Sequence, residues 1–240
     1  MAEEYNVSTE NYSVKQKLEN FWYHYKWHSI VALFLVMVIL VCSLQLCSQT
    51  EYDAYIMYAG EYAFTRTSKD GDIPTYVGTA NAFKRVCGDV SGDGEINVSF
   101  ADMLYMTDAQ VLEYREKYGY DPDSRLMYED MQRLGNMMNT GDYFIMLISP
   151  EVYEEYANEG DVVRFEKIDA YTAEGVKYEF YSEYAIKLSS LAFYDVAYIS
   201  SLPEDTLVCF RRLGVFGNNS GVKANYENSQ EVLRKILSYQ

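Results

Sequence analysis

The sequence predicts an α/β protein, with an N-terminal transmembrane helix followed by one mixed-sheet α/β extracytoplasmic domain. Three observations carry that expectation. Residues 30–46, "IVALFLVMVILVCSLQL", form an apolar run interrupted only by Ser43 and Gln45. After it, apolar runs of strand length alternate with segments whose apolar residues recur every three or four positions, the pattern of a sheet covered by helices. Of the 240 residues, 49% are apolar and 16% aromatic, which is enough to fill a core.

Extended to Trp27 and Cys47, the apolar run spans about 30 Å as a helix, the thickness of a hydrocarbon core. Trp22, Tyr23, Tyr25 and Trp27 crowd its N-terminal side, where an interfacial aromatic belt belongs. The stretch before it is too long for a cleavable signal peptide. Leu46 before Cys47 and Val41 before Cys42 do not suit a lipoprotein signal. Lys15, Lys17 and Lys26 precede the span and the next cation is Arg66, so the positive-inside rule puts the N-terminus in the cytoplasm. The expected organisation is a cytoplasmic tail (1–26), a span (27–47) and an extracytoplasmic α/β domain (48–240). Leu18, Phe21, Trp22 and Tyr25 give the tail a juxtamembrane amphipathic helix, and the lipid bilayer is the first expected partner.

Within the outer region, "DAYIMYAG" (53–60) reads as a buried strand and "TYVGTANAFKRVC" (75–87) as a helix. "EINVSFADMLYM" (95–106) alternates as a strand. Thr107 with Gln110 three residues on is a capping box for a helix to about Tyr118. The next helix sets Met127, Met131, Leu134 and Met138 in one stripe, with Asp121-Pro122 as its start and Gly141 as its stop. "YFIMLIS" (143–149) is a buried strand, and residues 150–160 a short helix opened by Pro150. Residues 175–195 read as strand, with Tyr178, Phe180, Tyr184 and Ile186 on one face. "TLVCFRRLG" (206–214) is a further strand. A closing helix over 226–239 buries Val232, Leu233, Ile236 and Leu237.

Charge and residue inventory exclude several chemistries. The net charge is −16; with four acids and three lysines before the span, about −15 of it falls on the outer region. Such a surface repels a phosphate backbone, so nucleic acid is not an expected partner. Both histidines, His24 and His28, precede the apolar run of residues 30–46, which removes histidine-based nucleophilic catalysis and histidine zinc sites from the outer region. No nucleophile elbow, P-loop or dinucleotide fingerprint occurs. Abundant acids leave carboxylate-based hydrolysis as the remaining enzymatic expectation. Of the four cysteines, Cys87 and Cys209 lie outside the span, either as a disulfide or as buried free thiols.

One stretch resembles a calcium loop. In "DVSGDGEINVSF", Asp89, Ser91, Asp93, Glu95 through its carbonyl, and Asn97 fall at positions 1, 3, 5, 7 and 9, with Gly94 at 6. Position 12, where a carboxylate is required, is Phe100, and a strand follows where an exit helix would begin. The stretch therefore reads first as a helix-to-strand turn and second as a weak calcium site. Tyr58, Tyr62 and Tyr76, among 25 tyrosines, fall near predicted strand ends. There they serve either as a ligand platform or, more commonly, as half-buried packing residues.

The order of "DAYIMYAG", "GDYFIMLISPEVYEEYANEG", "YAIKLSSLAFYD", "LPEDTLVCFRRLG" and a closing helix resembles one lobe of the class II extracellular solute-binding proteins. "KLENFWYHYKWH" before the span is similar to uncharacterised single-pass membrane proteins of Gram-positive bacteria that carry such ectodomains. The resemblance implies a solute-binding-lobe-like fold, and this chain departs from the two-lobed family in having room for one lobe. The expected function is a non-enzymatic, membrane-anchored binding or interaction module, its partner an unidentified small molecule or protein outside the cell. The alternative is a structural or accessory subunit of an envelope membrane complex.

Overall fold

The computed structural model describes residues 13–47, 52–68, 71–140, 143–157, 164–214 and 220–240. The chain divides into two compact units, Met1–Thr50 and Glu51–Gln240. In the first, helix α1 (Val14–Cys47) is continuous, so the aromatic segment and the apolar run share one helix. Its Leu18–Leu44 portion is long and apolar enough to cross a membrane. Phe21 and Tyr25 stack along it with ring centroids 5.2 Å apart, as one helical turn dictates.

The second unit is a mixed α/β domain built on one six-stranded sheet of order β2-β1-β3-β6-β5-β4. The elements are β1 (Ala54–Gly60), α2 (Thr75–Cys87), β2 (Val98–Leu104), α3 (Asp108–Tyr118), α4 (Ser124–Thr140), β3 (Ile145–Ile148), α5 (Pro150–Ala157), β4 (Phe180–Ser182), β5 (Ala185–Lys187), β6 (Leu207–Phe210) and α6 (Ser220–Leu237). β1 runs parallel to both β2 and β3, and β6, β5 and β4 continue the sheet antiparallel.

Side-chain alternation splits the core in two. Ile56, Tyr58, Phe100, Ile145, Leu147 and Val208 point to the face covered by α2 and α6. Met57, Ala59, Met103, Met146, Ile148 and Cys209 point to the face covered by α4 and α5. Cys87 belongs to the first cluster and Cys209 to the second, and both thiols are free. With the sheet between them, the disulfide alternative is closed.

Several sequence expectations need correction. β2 begins at Val98 rather than residue 95, because residues 95–97 belong to the preceding turn. α4 starts at Ser124, not at Pro122. The Asp123 carboxylate accepts from the amides of Arg125 (3.0 Å) and Leu126 (3.1 Å), while Asp121 pairs with Arg115. The predicted methionine stripe is rotated. Leu134 and Met138 are buried, but Met131 is 46% exposed and Asp130 takes the inward place, accepting from the Leu104 amide at 2.9 Å. Residues 175–195 are not one strand. They form the β4–β5 hairpin followed by 3-10 turns, which sends Ile186 to one cluster and Tyr184 to the other. α6 starts six residues before the expected position, where Val222 and Tyr226 extend its apolar face. The Gly141 stop and residues 158–160 of the predicted short helix lie outside the described residues.

The Thr107–Gln110 capping box forms as expected, and Gly119 closes α3 in the left-handed conformation with its N–H donating to Arg115 O at 2.8 Å. Gly78 of α2 answers a close approach, since a Cβ there would meet the Tyr198 ring at 2.4 Å. Tyr198 itself holds φ 72°, a strained conformation for a bulky residue. Gly78→Ala should therefore destabilise the protein by about 1–3 kcal/mol through overpacking, measured by denaturant unfolding in detergent micelles with near-UV circular dichroism. Both tryptophans lie in α1 and most tyrosines in the domain, so the tyrosine signal reports mainly on the domain.

Candidate functional site

The two ends of the parallel strands carry different chemistry. At the N-terminal end lies the turn over residues 88–97, which contains every candidate metal-ligating residue. It is organised by Asp53, the residue before β1, whose side chain is fully buried. One Asp53 carboxylate oxygen accepts from the amides of Val90 and Ser91, each at 2.8 Å, and the other from the Asn97 amide at 2.7 Å. Its own N–H donates to Asn97 O at 2.8 Å. Burial alone would raise the Asp53 pKa; the amide hydrogens of Ser91, Asn97 and Val90 outweigh that and hold it below the usual carboxylate range.

The loop's own oxygens serve its backbone. Asp89 accepts from the Gly92 amide (2.6 Å) and the Gly94 amide (3.0 Å), with Ser91 Oγ at 3.4 Å. Asp93 accepts from the Glu95 amide at 2.8 Å, and Asn97 Nδ2 donates to Glu95 at 3.4 Å. Gly92 and Gly94 take φ of 78° and 88°, the conformations that let these amides converge. Phe100, at the twelfth position, is buried in the core and offers no oxygen. Among the described residues no group of three or more histidine, cysteine or acidic side chains is placed to hold a metal ion. Sequence spacing brought the five candidates to one turn correctly; Asp53, which lies 36 residues before Asp89, carries no local signal of its role.

At the C-terminal end, the tyrosines do not form a platform. Tyr58 is 1% exposed, its hydroxyl accepting from the Tyr62 amide at 3.1 Å. Tyr62 and Phe64 pack edge-on beside it, and Phe64 on Phe100. Tyr76 donates to the Phe100 carbonyl and lies under the Arg66 guanidinium, 4.3 Å from its ring centre. Packing is the role these residues play.

Sequence reasoning missed a gathering of acids at the same end. Glu61 follows β1, Glu151 lies in the first turn of α5, Glu113 projects from α3 and Asp205 precedes β6. Burial holds the Glu61 carboxyl above its usual range, and the charges of Asp205, Glu113 and Glu151 push it further, with Lys117 opposing. One Glu151 carboxylate oxygen is buried without a hydrogen-bond partner. The backbone beneath is closed, because Tyr105 N–H donates to Gly60 O and Ser149 N–H to Ala59 O, both at 2.9 Å. The arrangement gathers negative charge around Glu61, suited to attracting cationic groups. No family model, curated protein or solved structure matches this chain.

Three outcomes follow from this geometry. Asp53→Asn should destabilise the protein by about 1–3 kcal/mol at neutral pH, since buried amides lose an acceptor. Asp53 has a depressed folded-state pKa, so its contribution is complete above the unfolded value and is lost as pH falls through the folded one. Acid unfolding profiles should therefore converge for the two proteins at low pH. Asp89→Ala should cost about 1 kcal/mol whether calcium or a chelator is present; a loss seen only with calcium would make the turn a metal site. Glu61 behaves oppositely. Its raised pKa means repulsion grows as pH rises, so Glu61→Gln should stabilise the protein at pH 7 and lose that advantage in acid.

Proposed function

We propose that this chain is a membrane-anchored extracytoplasmic binding or interaction module without catalytic activity. The observation that carries the reading is the apolar Leu18–Leu44 portion of α1, whose most apolar stretch is wholly unburied, followed within a few residues by an α/β domain with its own core. Apolar helix surface of that extent is stable in lipid and costly in water. Lys15 and Lys26, which lie before the apolar run, support a cytoplasmic N-terminus and an outward domain.

The non-enzymatic part rests on residue inventory. Histidine is confined to the stretch before the apolar run of residues 30–46, and no nucleophile motif occurs after it. The likeness to a solute-binding lobe supports a binding role through element order alone. A protein partner fits better than a small solute, because the strand-end tyrosines are spent on packing while aromatic residues of α3 and α4 face outward. An accessory subunit of an envelope complex is the form this takes when the partner is permanent.

Membrane fractions should retain the protein through alkaline carbonate extraction, and protease added to intact spheroplasts should digest residues 48–240. Release by carbonate would remove the anchor from the reading; digestion only in inverted vesicles would reverse its orientation.

A further inference from the structure

Helix α3 is anomalous. It spans 11 residues and buries none of them, resting on the domain only through half-buried Gln110, Val111 and Tyr114. A helix of that length is marginal in water without packing. Its capping box and glycine stop hold the ends, yet its outward arc presents Leu112 at 54% exposure. At its C-terminal end, Tyr114 and Tyr118 of the helix meet Tyr120 just beyond it, with ring centroids 4.5 Å apart for the first pair and 5.7 Å for Tyr114–Tyr120. Tyr118 and Tyr120 are 49% and 61% exposed. Exposed tyrosines packed tilted and edge-on at the end of an unburied helix have the composition of a contact surface.

Charge decides the occupant. Asp108, Glu113 and Glu116 stand on the exposed arc of α3, while Arg115 is taken by Asp121 and Lys117 lies over the Tyr118 ring, 5.2 Å from its centre, so the acids still outnumber the helix's own cations. Glu113 also acts on Glu61, so the acidic patch at the strand ends borders the same helix. A second copy of this chain, with net charge −16, would bring like charge to that face, and anionic lipid would be repelled too. A lysine- or arginine-rich segment is complementary twice over, since ammonium and guanidinium groups pair with the carboxylates and stack on tyrosine faces.

We propose that α3 and the adjoining Tyr114–Tyr118–Tyr120 cluster form the docking surface for a cationic segment of a partner protein. This rests on the reading of the domain as an interaction module and names its partner class.

The test uses the full chain in detergent micelles and fluorescence anisotropy with labelled decalysine, with decaglutamate as the negative probe. Decalysine should bind and decaglutamate should not. Glu113→Gln with Glu116→Gln should weaken binding, and Tyr118→Ser with Tyr120→Ser, which changes no charge, should weaken it about fivefold. Glu174→Gln with Asp195→Asn, an equal charge change elsewhere, should leave it unchanged. Equal weakening by that control, or no effect of the tyrosine pair, overturns the proposal, because the peptide then senses only overall acidity. A photo-crosslinking residue at position 112 or 181 in intact cells separates the two levels. Adducts at 181 but not 112 overturn this surface and leave the interaction reading standing; adducts at neither site count against both. The altered side chains are exposed, and unchanged near-UV circular dichroism establishes that each variant is folded.

Discussion

A single buried carboxylate organises the sheet. Asp53 sits where the chain enters β1, and its two oxygens collect three amide hydrogens from a turn 37 to 44 residues further on. Those bonds, with the reciprocal bond from Asp53 N–H to Asn97 O, set the point at which β2 begins and hence the β1–β2 register, Ala54 opposite Val98. A slip of one residue would turn Phe100 out of one cluster and Met103 out of the other. The charge survives burial because amide donors replace water. Desolvation alone would have pushed its pKa the other way.

The same device recurs where helices meet strand ends. Asp130 on α4 takes the Leu104 amide at the close of β2. Arg211, after β6, donates to the carbonyls of Met137 and Met138 at the end of α4 and lies over the Phe144 ring. Each of these polar groups is buried, and each satisfies backbone that has no partner in its own element. The core is thus two apolar layers separated by a sheet and pinned at the corners by charged side chains.

Function and electrostatics diverge along the chain. The apolar helix is long enough to cross a membrane, while the domain after it carries nearly all of the net negative charge. At the carboxyl ends of the parallel strands, the charges of Asp205, Glu113 and Glu151 act on Glu61 and raise its pKa beyond what burial does, with Lys117 opposing. Beside it stands α3, ordered by its caps rather than by burial. With no buried residue, α3 belongs to the low-stability end of the domain.

Local signals in the sequence determined a good deal. The range 75–87 of α2, the capping box at Thr107, the start of α5 at Pro150 and the buried stripe of α6 follow from spacing and capping chemistry alone. So did the apolar helix and the gathering of Asp89, Ser91, Asp93, Glu95 and Asn97 in one turn. Tertiary structure decided what those oxygens do. Periodicity reports which face of an element is apolar, so it assigned Met131 inward; only the strand end beneath could show that Asp130 was needed there. It could not see that Ser182 to Ala185 turns back, sending Tyr184 and Ile186 to opposite faces. Nor could it give Asp53 its role, because a carboxylate's partners are set by which distant amides the fold leaves without acceptors, and that exists only once the sheet has closed.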